Sequence, residues 1–139
     1  MVSIVLVSHS KAVAEGTREL AGQMTQGAVP IAAAGGTADG DLGTSADLIW
    51  QAIQEVYSDE GVLIIMDLGS AVMSAEMALE MLSEEQRQHV LLSDAPFVEG
   101  AVVAAVEASI GKSLREVAAA ALAAREMPKV TQPDAPTGA

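Results

Sequence analysis

Cysteine is absent from the chain. That excludes a disulfide scaffold, a thiol nucleophile and a cysteine zinc site. It also agrees with a reducing compartment, and a cytoplasmic location is the expectation. Cations are scarce: seven Lys and Arg stand against nineteen Asp and Glu, for a formal net charge of -12. They form no basic stripe, which phosphate-backbone recognition needs, so nucleic acid is not an expected partner. The acidic excess speaks mainly to solubility. The aromatic residues are Trp50, Tyr57 and Phe97, a poor set for stacking a flavin. No uninterrupted apolar stretch reaches the roughly 20 residues that cross a bilayer. Ile4 to Val7 is too short for a secretory signal core and has neither a basic lead nor a cleavage site, so no membrane association is expected. Histidine occurs only at positions 9 and 89. Two histidines so far apart give no ligand spacing, and no metal site is expected.

What is present alternates. Val2 to Val7 reads as a buried strand that stops at Ser8-His9-Ser10. Lys11 to Met24 reads as a helix, with Val13, Gly16, Leu20 and Met24 on one stripe at helical spacing. Ala28 to Ala34 is a weaker apolar run, and Pro30 suggests an edge strand. GGTADGDLGTS is loop chemistry. Thr44 or Ser45 can cap a helix to about Tyr57, with Leu48, Ile49, Ala52, Ile53 and Val56 on its core face. Gly61 to Met66 is apolar on both faces, as a central parallel strand should be. Asp67-Leu68-Gly69-Ser70 turns into a helix over 71–82, and Val90-Leu91-Leu92 is a fourth strand. Pro96 opens a helix running through Val98, Val102, Val106 and Ile110; Gly111 breaks it and Ser113 caps a last helix. This order predicts an α/β fold, an open, mostly parallel sheet with helices on both faces and right-handed crossovers. From position 127 to 139 the composition is that of a linker or frayed tail.

In such sheets ligands sit beyond the carboxyl ends of the strands, where strand order reverses. With the flavodoxin-like order 2-1-3-4, strands 1 and 3 are neighbours about 4.8 Å apart. His9 ends the first and Asp67 ends the third, so an imidazole and a carboxylate reach one rim. A neutral imidazole is a nucleophile near neutral pH. A carboxylate on one ring nitrogen fixes the tautomer and leaves the other nitrogen to attack. Helix starts at the same rim offer backbone N–H groups to an anion, and Ser10, Thr37, Thr44, Ser45 and Ser70 offer hydroxyls. Together they suggest a histidine that carries a phosphoryl group. Plainer readings compete: a helix-start histidine, a capping aspartate, and a Gly-Gly turn with no GK[ST] and hence no Walker motif. His89 reads as a surface residue.

VSHS, the QM that closes the first helix, GGTADGDLGTS, LIIMDLGSAVMSAEMALEML and APFVEGAVVAAVEAS, in this order and spacing, resemble the phosphotransfer subunits (DhaM) of bacterial PEP-dependent dihydroxyacetone kinases. These belong to the mannose-type EIIA group of the phosphotransferase system. The resemblance covers about residues 1 to 125 and implies a phosphotransfer domain over 1–126, with room for an extra edge strand near the C-terminus. It implies that His9 is the phosphorylated nucleophile and Asp67 the acid that orients it. Gly36, Thr37, Gly69 and Ser70 would surround the phosphoryl group, and Ser10 and Lys11 would meet partners. It further implies HPr as donor, ADP held in the kinase subunit DhaL as acceptor, and dihydroxyacetone bound in a third subunit, DhaK, as the final target. A homodimer is expected. This chain itself would hold no cofactor, ADP/ATP and Mg being expected on the kinase partner. Two other readings remain at this point: a mannose-type EIIA domain feeding a sugar permease, and a non-catalytic interaction module on the same scaffold.

Overall fold

The computed structural model describes residues 1–130. Four strands, β1 (Ser3–Ser8), β2 (Ile31–Gly35), β3 (Val62–Met66) and β4 (Val90–Ser93), form one sheet. All its pairs are parallel and the order is β2-β1-β3-β4. The helices are α1 (Lys11–Met24), α2 (Ala46–Val56), α3 (Val72–Glu80), α4 (Glu84–Arg87), α5 (Phe97–Ser109) and α6 (Leu114–Ala123). A 3-10 turn, Gly69–Ala71, leads into α3, and a second, Ala124–Glu126, follows α6. Among the described residues no strand follows β4. An added C-terminal edge strand is therefore not seen through residue 130, and the remainder of the expected tail, 131–139, lies outside the described residues. Within residues 127–130, Lys129 Nζ pairs with Glu99 on α5 at 2.8 Å.

The sheet's alternation sorts side chains into two cores. Ile4, Leu6, Leu63 and Ile65 face the side covered by α1, α5 and α6. Val5, Val7, Val62 and Ile64 face the side covered by α2 and α3. Burial on both faces explains why β1 and β3 read as continuous apolar runs. Pro30 does stand just ahead of the edge strand β2; its carbonyl accepts the Ile4 N–H at 3.0 Å. Side-chain caps start α1, α2, α4 and α6, those of Ser45 and Ser113 as expected. Ser10 Oγ accepts from Val13 N–H, Ser45 Oγ from Leu48 N–H, and Ser113 and Glu116 form a reciprocal capping box.

Two helices turn differently from their apolar pattern. On α1 the stripe Val13, Leu20, Met24 faces out, and Ala14, Thr17 and Ala21 face in. On α5 Gly100, Ala101, Ala104, Ala105 and Ala108 are buried, whereas Val98, Val106 and Ile110 are exposed. The reason is close approach. Helix α5 is packed between α1, α6 and the sheet, and only small side chains fit between backbones that near. The helix expected over 71–82 is shorter at both ends, and α4, four residues long, has no hydrophobic period to announce it.

Candidate functional site

Strand register delivers the candidate residues to one place. The β1–β3 ladder ends at Val7 opposite Met66, and Asp67 N–H extends it by donating to the Val7 carbonyl at 3.0 Å. Ser8 and Asp67 therefore occupy the next paired position, on the face of Leu6 and Ile65. His9 follows at once. Its Nδ1 lies 3.0 Å from Asp67 Oδ1, and its backbone N–H donates to Asp67 Oδ2 at 3.0 Å. The Ser8 hydroxyl donates to Oδ2 at 3.0 Å, and Leu68 N–H donates to Oδ1 at 2.7 Å. Each carboxylate oxygen thus accepts two hydrogen bonds, which is full occupancy for an ionised acid.

Burial alone would raise the Asp67 pKa, but the bonds from the His9 N–H, the His9 ring and the Ser8 hydroxyl outweigh it. The carboxyl is held below its ordinary value. An ionised carboxylate can only accept, so His9 Nδ1 carries the ring proton and Nε2 presents its lone pair. Ser70 Oγ stands 2.9 Å from Nε2 and, with that tautomer, is the donor to it. The His9 side chain keeps 27% of its surface exposed, so the ring is held from one side and open on the other.

The loop after β2 closes the opposite flank. Gly43 N–H donates to the His9 carbonyl at 2.9 Å, and Gly36 N–H donates to the Ser8 carbonyl at 3.1 Å. Gly36 has φ of +74°, and a Cβ there would stand 2.9 Å from the Asp41 carbonyl, so glycine suits both the turn and the space. Thr37 N–H is bonded to the Asp41 carbonyl, and Thr37 Oγ1 accepts from Asp41 N–H at 3.1 Å. The β2 loop thus spends the N–H groups of Gly36 and Thr37 on itself and on β1. Gly69 and Ser70 open a 3-10 turn on the exposed rim, where leading N–H groups lack partners within the turn. Thr44 and Ser74 share a hydrogen bond of 2.7 Å that ties this loop to α3. Ser45 is spent as a cap. Ser10 caps α1, with its N–H on Ser8 Oγ, and Lys11 is exposed beside it. His89 stands at the other end of the sheet, its carbonyl accepting Val62 N–H ahead of β3 and β4. Ser8, Leu68 and Gly43 are site residues the sequence reading missed. For Ser8 the signal was available, since its parity with Asp67 in adjacent strands puts both on one face.

Two shallow hollows lie among the neighbouring loops, about 250 Å³ lined in part by Lys11, Gly35 and Thr37 and about 160 Å³ lined in part by Asp67, Gly69 and Asp94. His9 lines neither. Among the described residues no group of three or more His, Asp or Glu could hold a metal ion. No helix among them is long and apolar enough to cross a membrane. Such a site can offer one oriented nitrogen to a partner's surface, with hydroxyl and N–H donors beside it.

Comparison with known proteins identifies the family. The family described as "PTS system fructose IIA component" (EIIA-man) matches residues 3–118. The DhaM phosphoryl donor subunit of PEP-dependent dihydroxyacetone kinase 2 from Listeria innocua is 45% identical over 113 residues, 81% of this chain and 90% of its own length. The corresponding Escherichia coli subunit is 43% identical over 120 residues, 84% of this chain but 25% of that longer protein. A crystal structure of a protein described as of unknown function, EF1359, is 42% identical, with a TM-score of 0.77 over 87% of this chain and 92% of its own. The chain belongs to the mannose-type EIIA family of the phosphotransferase system, in its DhaM branch.

Proposed function

We propose that this chain carries a phosphoryl group on Nε2 of His9, accepts it from HPr and passes it to ADP held in the DhaL kinase subunit, so that the kinase can phosphorylate dihydroxyacetone. The observation that carries the reading is the clamp on His9, with Asp67 on Nδ1 and Ser70 on Nε2. In the accepting step the Nε2 lone pair forms a bond to phosphorus. The donor's bond to phosphorus breaks, and that electron pair returns to the donor. The Nδ1 proton stays where it is. The ring then bears a positive charge that Asp67 offsets, and it remains a good leaving group for the onward step. Ser70 turns its hydroxyl from Nε2 to a phosphoryl oxygen, joined by the N–H groups of Gly69 and Ser70. Thr37 adds its hydroxyl proton, and Gly36 shapes the turn. Ser10 and Lys11 lie at the edge that partners approach.

Openness suits a relay between proteins, since both partners must reach the same nitrogen. The phosphoryl group adds about -1.5 to -2 charges to an acidic chain, so backbone and hydroxyl dipoles do most of the holding. ADP/ATP and Mg belong to the kinase partner in this scheme, and the setting is the cytoplasm. A homodimer is part of the proposal, supported by the uncovered apolar stripes of α1 and α5. The test is incubation with PEP, enzyme I and HPr, followed by mass-spectrometric localisation. Label is expected on His9 alone, with transfer to DhaL-bound ADP. A His9→Ala chain that still takes up full label would overturn the assignment.

A further inference from the structure

The clamp on His9 depends on a group outside the nucleophile–acid pair. Resting on the relay proposed above, we infer that Ser8 is a positioning residue for phosphoryl transfer, acting through Asp67. Ser8 is fully buried at the end of β1. Sheet register sets it between Gly35 on β2, which has no side chain, and, one step past the Val7–Met66 pair on the other flank, Asp67. Its hydroxyl has a single proton, and its two hydrogen bonds are consistent with one orientation. Ser8 Oγ accepts from Ser10 N–H at 3.0 Å, so its proton goes to Asp67 Oδ2, also at 3.0 Å.

The consequence is mechanical. Asp67 can rotate about the bond to its carboxyl group, and rotation would swing Oδ1 away from Nδ1. The Ser8 hydroxyl and the His9 N–H hold Oδ2, which keeps Oδ1 aimed at the ring. The same hydroxyl takes the Ser10 N–H, the residue that caps α1 with its own side chain. Ser8 thereby couples the start of α1 to the orientation of the acid. Its burial sets it apart from the rim serines. Ser70 is exposed and free to turn toward a phosphoryl oxygen, whereas Ser8 touches neither the ring nitrogen nor the face that partners approach. The buried Ser3, at the opposite end of β1, makes a useful contrast because its hydroxyl has no partner.

The test compares Ser8→Ala with Ser8→Thr and Ser8→Cys in the full chain, by two readouts. One is the single-turnover rate of phosphoryl acceptance from phosphorylated HPr. The other is the nitrogen NMR signature of the His9 ring without any donor, which reports the fraction of Nδ1–H tautomer. Ser8→Ala should slow acceptance about 10-fold or more, the scale of a lost bond to a charged group, and lower the Nδ1–H fraction. Restoring a hydroxyl with Thr should return both readouts toward wild type. Cys, a weak donor, should fall between and serves in place of Ala if that variant does not fold. A folded Ser8→Ala or Ser8→Cys chain with an unchanged Nδ1–H signal overturns the inference, whatever its rate. A slowed rate with an intact ring signature would mean a merely structural role and also overturns it. The ring readout needs no donor, so a wild-type chain that HPr fails to label would refute the relay while leaving the test of Ser8 intact.

Discussion

The two loops that flank His9 do opposite work. At the ends of β1 and β3 polar groups turn inward on a single acid, and Asp67 collects bonds from Ser8, His9 and Leu68. In the loop after β2 the N–H groups of Gly36 and Thr37 are consumed by Ser8 and Asp41, and Gly43 is spent on the His9 carbonyl. One side fixes the ring, its proton and its attacking nitrogen. The other fixes the backbone that carries the ring. A glycine-rich loop beside the proposed phosphoryl site need not be a phosphate cradle, since most of its donors are committed before any phosphate arrives.

Changing the acid should break this contrast most severely. Asp67→Asn keeps the shape but removes the charge and turns an amide NH₂ toward donors. Acceptance measured by rapid quench should fall about 10²- to 10⁴-fold, the range for losing an orienting acid beside a catalytic histidine. The same variant tests the acid's share of stability. Because the Asp67 pKa is lowered on folding, its stabilising contribution is complete above the ordinary carboxylate range and is lost as pH falls through the depressed value. The difference in thermal midpoint between wild type and Asp67→Asn should therefore be largest near neutrality and shrink in acid.

The structural flank should respond in stability first. A Cβ at Gly35 would stand 2.6 Å from Lys11 Cα and 2.7 Å from the Ser10 carbonyl, both backbone atoms. Gly35→Ala must push the start of α1 away from β2 and should cost about 1–3 kcal/mol in denaturant unfolding. Smaller effects sharpen the comparison. Ser70→Ala removes the donor at Nε2 and should slow acceptance roughly 10-fold, near the upper end for one neutral hydrogen bond. Thr37→Val, on the flank that is already bonded to itself, should slow it only about 2- to 3-fold. Equal losses in the two variants, measured side by side, would erase the distinction drawn between the loops.

Much of this was legible in the sequence. The alternating elements, the edge position of β2 and the meeting of His9 with Asp67 all followed from buried strand patterns and the rule for where strand order reverses. The outward turn of α1 and α5 did not. Periodicity scored Val13, Leu20 and Met24 as a stripe and gave no weight to Ala14, Thr17 and Ala21, yet the distance between packed backbones favours the small residues. The committed state of the β2 loop was equally hidden. Composition shows that glycines and hydroxyls are present, not which N–H has already found a carbonyl. Ser8 looked like part of a motif, and only register reveals that it faces the acid.

In the proposed relay Asp67 holds the proton on Nδ1 and leaves Nε2 of His9 to take phosphorus. Phosphorus–nitrogen correlation NMR on ¹⁵N-histidine-labelled chain, phosphorylated through HPr, measures this directly. The phosphorus is expected to couple to Nε2 while Nδ1 retains its proton. Coupling to Nδ1, or a phosphoryl group on any other residue, would contradict it.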